Sequence, residues 1–308
     1  TYTYKGFSLN TGISGKHTYY KQREISYKQF NPQPRILAQY SFRNGMSLRY
    51  RFNMDVSSPS LSDLNDVEQT MDSWQIKRGN PFLKNSMGYS QSLMYSYHNK
   101  YVGLELIGAY TYADNPVYET IFVEGDKIVN TIENQKDWQR LQVQATLNIH
   151  PFGQYLYLQV RPRFSRYVMH GNTYTHTYNN WALYATMVAN YKRWFLNAQM
   201  ETRHNTLAGE TITYGQHFHL IGVGYNADKW NLSTGLMLPF SKNYSQATRN
   251  LSKIASHYSY VHTADFQALI YVAGSINLDF GKKKNTQQQR MNNQDSGSGI
   301  LHSGKVCM

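Results

Sequence analysis

The feature that most constrains this chain is a strict alternation of apolar and polar residues that recurs along most of its length. Every second residue is apolar or aromatic in Ile36–Phe42 and again in Met46–Met54, with Asn44-Gly45 between the two runs. A period of two places these residues on one face of a β-strand, and Asn-Gly is a strong signal for a two-residue hairpin turn. A third run, Phe266–Phe280, matches or exceeds the roughly 9–11 residues that a tilted strand needs to cross a bilayer.

Reading this alternation along the chain predicts about twelve antiparallel strands. Their expected ranges are 3–16, 27–43, 46–56, 86–98, 101–113, 136–149, 154–168, 179–191, 194–206, 214–226, 230–241 and 264–280. Short connections are expected at 44–45, 98–100, 150–153, 192–193 and 227–229, and longer ones at 17–26, 57–85, 114–135, 169–178, 207–213 and 242–263. Short turns on one side and long loops on the other are typical of transmembrane up-and-down β-barrels. A Greek-key sandwich has no reason for this rhythm.

Composition agrees with an all-β transmembrane barrel rather than with membrane-spanning helices. The chain has no run of about 18 apolar residues, and its mean hydropathy is −0.61. A barrel tolerates so low an average because only alternate residues touch lipid, while the others face a wet lumen. Tyrosine contributes 27 of the 308 residues, and aromatic residues form the interfacial girdles of such barrels. A soluble, aromatic-rich β protein that binds carbohydrate is the alternative on composition alone.

Other functional classes find little support. The net charge is +12, but no nucleic-acid module frames the basic residues, so no nucleic-acid partner is expected. The single cysteine, Cys307, cannot form an internal disulfide or a cysteine metal cluster. His217 and His219 share a strand face without an evident third ligand, and Ser256 and His257 point to opposite faces. We therefore expect no metal, no cofactor and no enzymatic activity.

Several polar or irregular residues fall inside predicted strands. Arg49, Arg51, Arg161 and Arg163 have the polar parity and are candidates for a basic lumen that receives an anionic solute. The alternative is that they pair with acidic groups on neighbouring strands or on a plug. Pro162 lies inside a predicted strand of a barrel without free edges, which predicts a bulge or an earlier strand end. Trp138 has the opposite parity to the apolar residues that follow it, so it faces the lumen or marks a bulge.

Two stretches resemble the barrel of TonB-dependent outer-membrane receptors. The first is Pro59-Ser60-Leu61-Ser62-Asp63-Leu64, followed by Gly79-Asn80-Pro81-Phe82-Leu83-Lys84. Gly79 and Asn80 suit a turn, and Pro81 fixes the start of the next strand. The second stretch, Leu278-Asp279-Phe280-Gly281, is similar to the close of that family's last strand. Asn85-Ser86 stands where the family often has an acidic residue.

The resemblance implies a barrel of about 22 strands filled by an N-terminal plug. Such receptors import scarce, large ligands, using energy delivered through the plug from an inner-membrane complex. The chain begins inside the strand pattern at Thr1 without an export signal, which predicts that plug and barrel sequence precedes it. We expect residues 1–280 to form the C-terminal barrel part in the outer-membrane lipid, and the polar tail 281–308 to be disordered. The alternative is a complete twelve-stranded pore, adhesin or rim enzyme.

The long loops are expected to carry recognition, because loops on a fixed scaffold can vary without unfolding it. Aromatic side chains suit hydrophobic chelates or sugars, since they combine a large apolar area with a stackable face. The candidate ligand contacts in these loops are Trp74, Tyr118, Phe122, Tyr244, Tyr258 and Tyr260. The ligand itself stays open among an iron chelate, a glycan, cobalamin and a peptide.

Overall fold

The computed structural model describes residues 1–22, 24–240, 244–263 and 268–278, and these residues are almost entirely β-structure. One helical turn, α1, spans Leu61–Leu64, and a 3-10 turn spans Gly153–Tyr155. Within the described part, no helix is long and apolar enough to cross a membrane. The strands are β1 Tyr2–Tyr4, β2 Phe7–Gln22, β3 Ile25–Ser41, β4 Met46–Ser57, β5 Gln69–Thr70, β6 Gln75–Lys77, β7 Ser86–His98, β8 Val102–Asp114, β9 Val117–Glu124, β10 Lys127–Asn134, β11 Asp137–Ile149, β12 Leu156–His170, β13 Thr175–Tyr191, β14 Trp194–Glu201, β15 Thr206–Ala208, β16 Thr211–Tyr214, β17 Phe218–Asn226, β18 Trp230–Met237, β19 Tyr244–Asn250, β20 Tyr258–Thr263 and β21 Leu269–Ile276.

Thirteen of these strands form one antiparallel sheet, in which each strand lies beside the next one of the sheet along the chain. Its order is β1-β2-β3-β4-β7-β8-β11-β12-β13-β14-β17-β18-β21. The sheet is therefore up-and-down, and the predicted fold class is confirmed. The twelve strands after β1 correspond to the twelve predicted ones. Between the described residues, β1 and β21 do not pair with each other, so the sheet has two open edges.

Two predicted loops are wrong, because the neighbouring barrel strands extend through most of them. Residues 17–22 and 25–26 continue the β2–β3 hairpin, in which Gln22 lies opposite Ile25. Between β12 and β13, only residues 171–174 are outside the strands. Conversely, β14 ends at Glu201 rather than at 206, and β21 begins at Leu269. Phe266, Phe280 and the tail 281–308 lie outside the described residues.

The two faces of the large sheet differ as the alternation predicts. One row across five strands joins Leu93, Gly108, Val143, Phe164 and Trp181. Its side chains point outward: Val143 is 53% exposed and Trp181 is 71% exposed. An apolar face of this extent is unstable in water and suits the acyl chains of a bilayer.

The opposite face, which we call the lumen face, is polar and internally hydrogen-bonded. The hydroxyls of Ser47 and Ser96 lie 2.7 Å apart across β4 and β7. Arg163 Nε donates to Gln144 Oε1 at 3.0 Å across β11 and β12. Polar side chains on neighbouring strands thus satisfy one another's hydrogen-bonding groups within the lumen face.

Short turns lie together at one end of the sheet, where backbone hydrogen bonds join each to a neighbouring turn or strand end. The amide of His98 donates to Gly45 O at 3.1 Å, and that of His150 donates to Tyr101 O at 2.7 Å. The same pattern joins Asn226 to Arg193 at 2.7 Å and Asn277 to Lys229 at 2.8 Å. The predicted separation into a short-turn end and a long-loop end is therefore present.

Pro162 does not end its strand, so that expectation is wrong. The ladder between β12 and β13 runs through it, with Pro162 opposite Leu183. On the β11 side, pairing stops at Gln144 and resumes at Leu147 in the same register. Proline lacks an amide hydrogen, and the sheet loses local pairs on one side without inserting an extra residue.

The two-faced sheet predicts opposite responses to charge at adjacent positions of β21. Val272 faces outward and is 70% exposed, whereas Ala273 lies opposite Ser233 on the lumen face. Val272→Arg should lower the free energy of unfolding in lipid vesicles by about 2–4 kcal/mol near the bilayer midplane. Ala273→Arg is the matched control at the same depth and should cost much less. Equal losses in denaturant titrations would contradict the lipid-facing assignment.

Candidate ligand-binding site at the long-loop end

The long loops do not form independent structures, because their strands pair to make two small sheets. The first loop sheet has the order β5-β6-β10-β9 and joins the loop after β4 to the loop after β8. Its β6 and β10 are parallel, with Ile128 opposite Gln75. Arg78 tightens this sheet through ion pairs with Glu68 at 3.1 Å and Glu124 at 2.8 Å.

The second loop sheet has the order β15-β16-β19-β20 and joins the loop after β14 to the loop after β18. Asn205 fixes its base to the barrel. The amide of Asn205 donates to Asn180 Oδ1 at 3.2 Å, its Nδ2 donates to the Tyr178 hydroxyl at 2.8 Å, and its Oδ1 accepts from the Gly215 amide at 3.0 Å. One side chain thus holds both ends of the β15–β16 hairpin to β13.

A buried apolar cluster attaches the second loop sheet to the lumen face. Its core consists of Tyr167 and Met169 from β12 with Leu207 and Ile212 from the loop hairpin. Trp138 packs against this core, and its Nε1 donates to Leu207 O at 2.8 Å. The unusual parity of Trp138 therefore has a structural cause, because its ring faces the lumen side to support the loop.

The family-motif segment begins with a capped helical turn. Ser60 accepts a hydrogen bond from the Asp63 amide at 3.2 Å, and the Asp63 carboxylate accepts one from the Ser60 amide at 2.9 Å. This reciprocal pair is a capping box, which stabilises the start of a helix. The turn buries Leu64, which is 3% exposed, beneath the loop.

Gly79 lies where two backbone segments of this loop meet. Its amide donates to Asn65 O at 2.8 Å, and the amide of Asn80 donates to Asp63 O at 2.7 Å. A Cβ on Gly79 would lie 2.4 Å from both of these carbonyl oxygens. Close approach of backbone, rather than turn geometry, therefore requires glycine at this position.

The turn itself falls at Pro81-Phe82, just beyond Gly79. Asn80 Oδ1 accepts from the Phe82 amide at 3.0 Å, which closes the turn, and Asn80 Nδ2 donates to Ile132 O at 3.2 Å. Leu83 is 1% exposed, and its carbonyl accepts from the Tyr20 hydroxyl of β2. The motif residues thus tie the loop after β4 to both the first loop sheet and the β2–β3 hairpin.

An open cavity of about 720 Å³ lies against the second loop sheet. Its cationic and aromatic lining comes from several segments: Arg203 before β15, Tyr214 in β16, Arg249 in β19, and Tyr258 and Tyr260 in β20. His257 also lines it. None of the described lining residues carries a carboxylate. Cations beside stackable rings suit an anionic ligand with flat or apolar parts.

The aromatic candidates from the sequence separate into four locations. Tyr258 and Tyr260 line the cavity, with their rings stacked 6.2 Å apart. Tyr244 lies in the adjacent strand β19, where its backbone pairs with Thr263. Trp74 and Phe122 belong to the first loop sheet and do not line this cavity. Tyr118 packs against the buried cluster, which gives it a structural environment.

Sequence reasoning did not single out Arg203, Arg249 or His257 as ligand contacts. Each stands alone in its segment without a motif, and only the pairing of β16 with β19 brings their segments together. Alternation within the loop does carry a signal, because Arg249 lies opposite Tyr258 in the β19–β20 hairpin. That signal becomes informative only once the hairpin register is known.

The four lumen candidates lie on the lumen face, and three of them contact neutral partners. Arg49 Nε donates to Gln39 Oε1 at 3.0 Å, and Arg163 bonds Gln144 as described above. The Arg161 guanidinium lies 4.3 Å from the centre of the Tyr184 ring. Arg51 has the same parity as Arg49 on β4 and lies opposite Ser92. These contacts orient the cations without neutralising their charge.

Burial lowers the pKa of two histidines at the long-loop end, which favours their neutral form. Burial, with repulsion from Arg163 and Arg140, lowers the pKa of His204. Burial, with repulsion from Arg203 and His219, lowers the pKa of His217. Both imidazoles are therefore neutral near pH 7. Across the described part of the chain, no three His, Cys, Asp or Glu side chains are grouped to hold a metal.

Solved structures share this fold at low sequence identity. The copper transporter OprC matches with a TM-score of 0.66 and 10% identity, over 88% of this chain and 45% of its own. The FrpB iron transporter from Neisseria meningitidis matches with a TM-score of 0.62 and 11% identity, over 88% and 43%. The siderophore receptor PirA from Pseudomonas aeruginosa gives 0.56 and 11%, over 86% and 46%. The chain thus spans somewhat under half the length of these proteins, and the likeness establishes the fold alone. No curated protein matches the sequence significantly.

The large sheet has an apolar outer face, short turns at one end and long, structured loops at the other. These features define an integral β-barrel protein of the outer membrane. The chain belongs to the outer membrane protein beta-barrel family, which it matches over residues 2–272. The expected β-barrel family and outer-membrane location are confirmed.

The close approach at Gly79 predicts a large effect of one methyl group. Gly79→Ala should destabilise the loop after β4 by about 1–3 kcal/mol, because the new Cβ meets two carbonyl oxygens that cannot both move away. Gly108→Ala is the matched control, since a Cβ there has no neighbour within 4 Å. Amide hydrogen exchange should speed up within residues 58–85 of the Gly79 variant only. Unchanged protection there would contradict the assigned contact.

Proposed function

We propose that this chain is part of the barrel of an outer-membrane transporter whose long-loop end captures a large anionic ligand for import. The observation that carries the proposal is the cavity of about 720 Å³ with Arg203 and Arg249 beside three tyrosines and no described carboxylate. Charge-assisted hydrogen bonds from arginine are strong and directional, and tyrosine rings add contact area at low entropic cost. An acidic iron chelate or an acidic glycan fits this lining better than a neutral cobalamin.

The remainder of the transporter would come from sequence beyond this chain. The sheet has open edges at β1 and β21 among the described strands, and open edges are costly in lipid because their backbone groups lack partners. The matching structures are about twice as long as this chain. We propose that further strands close the barrel, that an N-terminal plug fills it against the polar lumen face, and that an inner-membrane complex supplies energy through that plug.

The alternatives account for fewer observations. A soluble carbohydrate-binding protein would expose the outward row around Val143 and Trp181 to water at a large cost. A complete twelve-stranded pore, adhesin or rim enzyme would need β1 or β2 to pair with β21, a pairing that the described residues do not make. The transporter proposal explains the open edges and the shared loop sheets together.

The cavity predicts charge-dependent ligand binding by the full-length protein. Ferric citrate serves as the anionic probe and a neutral ferric hydroxamate of similar size as its control. Arg203→Gln with Arg249→Gln should weaken ferric citrate binding by about tenfold or more, because each change removes one cationic partner. Lys253→Gln, close in sequence but outside the cavity lining, should leave binding unchanged. Calorimetry provides the measurement.

Two outcomes would contradict this prediction. If the neutral chelate binds as tightly as the anionic one, the cavity does not select negative charge. If the double variant binds ferric citrate like the parent protein, then Arg203 and Arg249 are not ligand contacts.

A further inference from the structure

The short-turn end of the barrel carries an excess of positive charge. The turns between the barrel strands, from Lys5-Gly6 to 227–229, contain a single carboxylate, Asp228, within the described residues. Asp228 forms an ion pair with Arg193 at 3.1 Å. The cations in these turns, all exposed, are Lys5, Arg43, Lys100, Lys192, Arg193 and Lys229. This basic rim therefore has little internal compensation.

A repeated contact places the rim cations beside exposed tyrosine rings. The ammonium of Lys5 lies 5.2 Å from the ring centre of Tyr4, and that of Lys192 lies 5.4 Å from that of Tyr191. Lys100 has the same relation to Tyr101, at 5.5 Å. Tyrosines at strand ends occupy the lipid–water interface of membrane barrels. The lysines are consequently at the depth of the lipid head groups.

One part of the rim forms a groove. It has a volume of about 780 Å³ and lies between the turn after β11 and the turn after β13. The described lining consists of Gln154, Tyr155, Asn190, Tyr191 and Lys192, without a carboxylate. Asn190 Nδ2 donates to Gln154 O at 3.1 Å, which holds the two turns together.

From these features we infer that this groove binds the head group of an anionic phospholipid in the leaflet at the short-turn end. The Lys192 ammonium pairs with the phosphate, and the Gln154 side-chain amide is available to the glycerol hydroxyls and ester groups of the head group, while Asn190 holds the two turns in place. Tyr155 and Tyr191 are more than half exposed and give apolar contact to the start of the acyl chains. The remaining rim lysines attract the same lipid class, since basic residues near an anionic surface gain affinity individually.

A lipid accounts for the arrangement better than an acidic soluble partner does. Each of the three paired tyrosines lies next to its lysine in sequence at a strand end or turn, and Tyr191 belongs to the outward face through its pairing with Trp194. The Tyr191 side of the groove thus borders the lipid-facing surface, whereas Asn190 has the parity of the lumen face. A soluble protein would have to reach cations that are placed beside membrane-exposed rings.

The test uses the full-length protein and phosphatidylglycerol, with phosphatidylcholine as the neutral lipid of equal chain length. Native mass spectrometry after detergent release should show retained phosphatidylglycerol and no comparable retention of phosphatidylcholine. Lys192→Gln should weaken phosphatidylglycerol retention about fivefold, and Lys192→Arg should restore it. Lys253→Gln, at the long-loop end, is the matched charge control and should retain the lipid fully.

Three outcomes would overturn the inference. Equal retention of both lipids would show that charge is not recognised. Full phosphatidylglycerol retention by Lys192→Gln would remove the groove from its binding. Absence of phosphatidylglycerol retention, together with salt-sensitive binding of a polyglutamate peptide to the rim, would assign the rim to an acidic protein instead. None of these results depends on the ligand cavity at the other end.

Discussion

Everything in this molecule depends on satisfying backbone hydrogen bonds where no water is available. A bilayer offers no partners to exposed amide and carbonyl groups, so only helices and closed barrels cross it. Here, an antiparallel ladder runs from β1 to β21 without a crossover, and even Pro162 interrupts only a few pairs on one side. The alternation of apolar and polar residues has the same cause, since each strand has one face towards lipid and one towards the lumen. The two open edges among the described strands are the places where the proposed transporter would add further strands.

Because this ladder fixes the strands, the two ends of the sheet can differ in structure. At the short-turn end, neighbouring turns and strand ends are bonded through their backbones, and their exposed lysines and tyrosines form a surface at the lipid boundary. At the long-loop end, side-chain hydrogen bonds of Trp138 and Asn205 hold the second loop sheet onto the lumen face. Recognition can then reside in Arg203, Arg249 and the tyrosines near them, because their scaffold does not depend on the ligand for its order.

The sequence predicted the barrel strands well and the loops poorly, for a physical reason. Strand existence depends on local alternation, which is visible in one chain, as in Met46–Met54. Loop structure depends on distant pairing: β6 meets β10 in parallel across about fifty residues, and the β2–β3 hairpin continues above the expected strand with few apolar residues. The demand for glycine at Gly79 arises from two carbonyls outside its own turn. The cavity cations were missed because no spacing joins Arg203 to Arg249.

Sidedness is the most direct test of the account, because it joins the sheet, the loop sheets and the two proposed sites in one arrangement. Single cysteines would be placed at Asp126 and Lys253 in the long loops and at Asn44 and Asp228 in the short turns, with Cys307 replaced by serine. All four positions are exposed. Intact cells are treated with a membrane-impermeant maleimide, and permeabilised cells report total reactivity. The account predicts labelling of intact cells at Asp126 and Lys253 only. Labelling at Asn44 and Asp228 instead would contradict it.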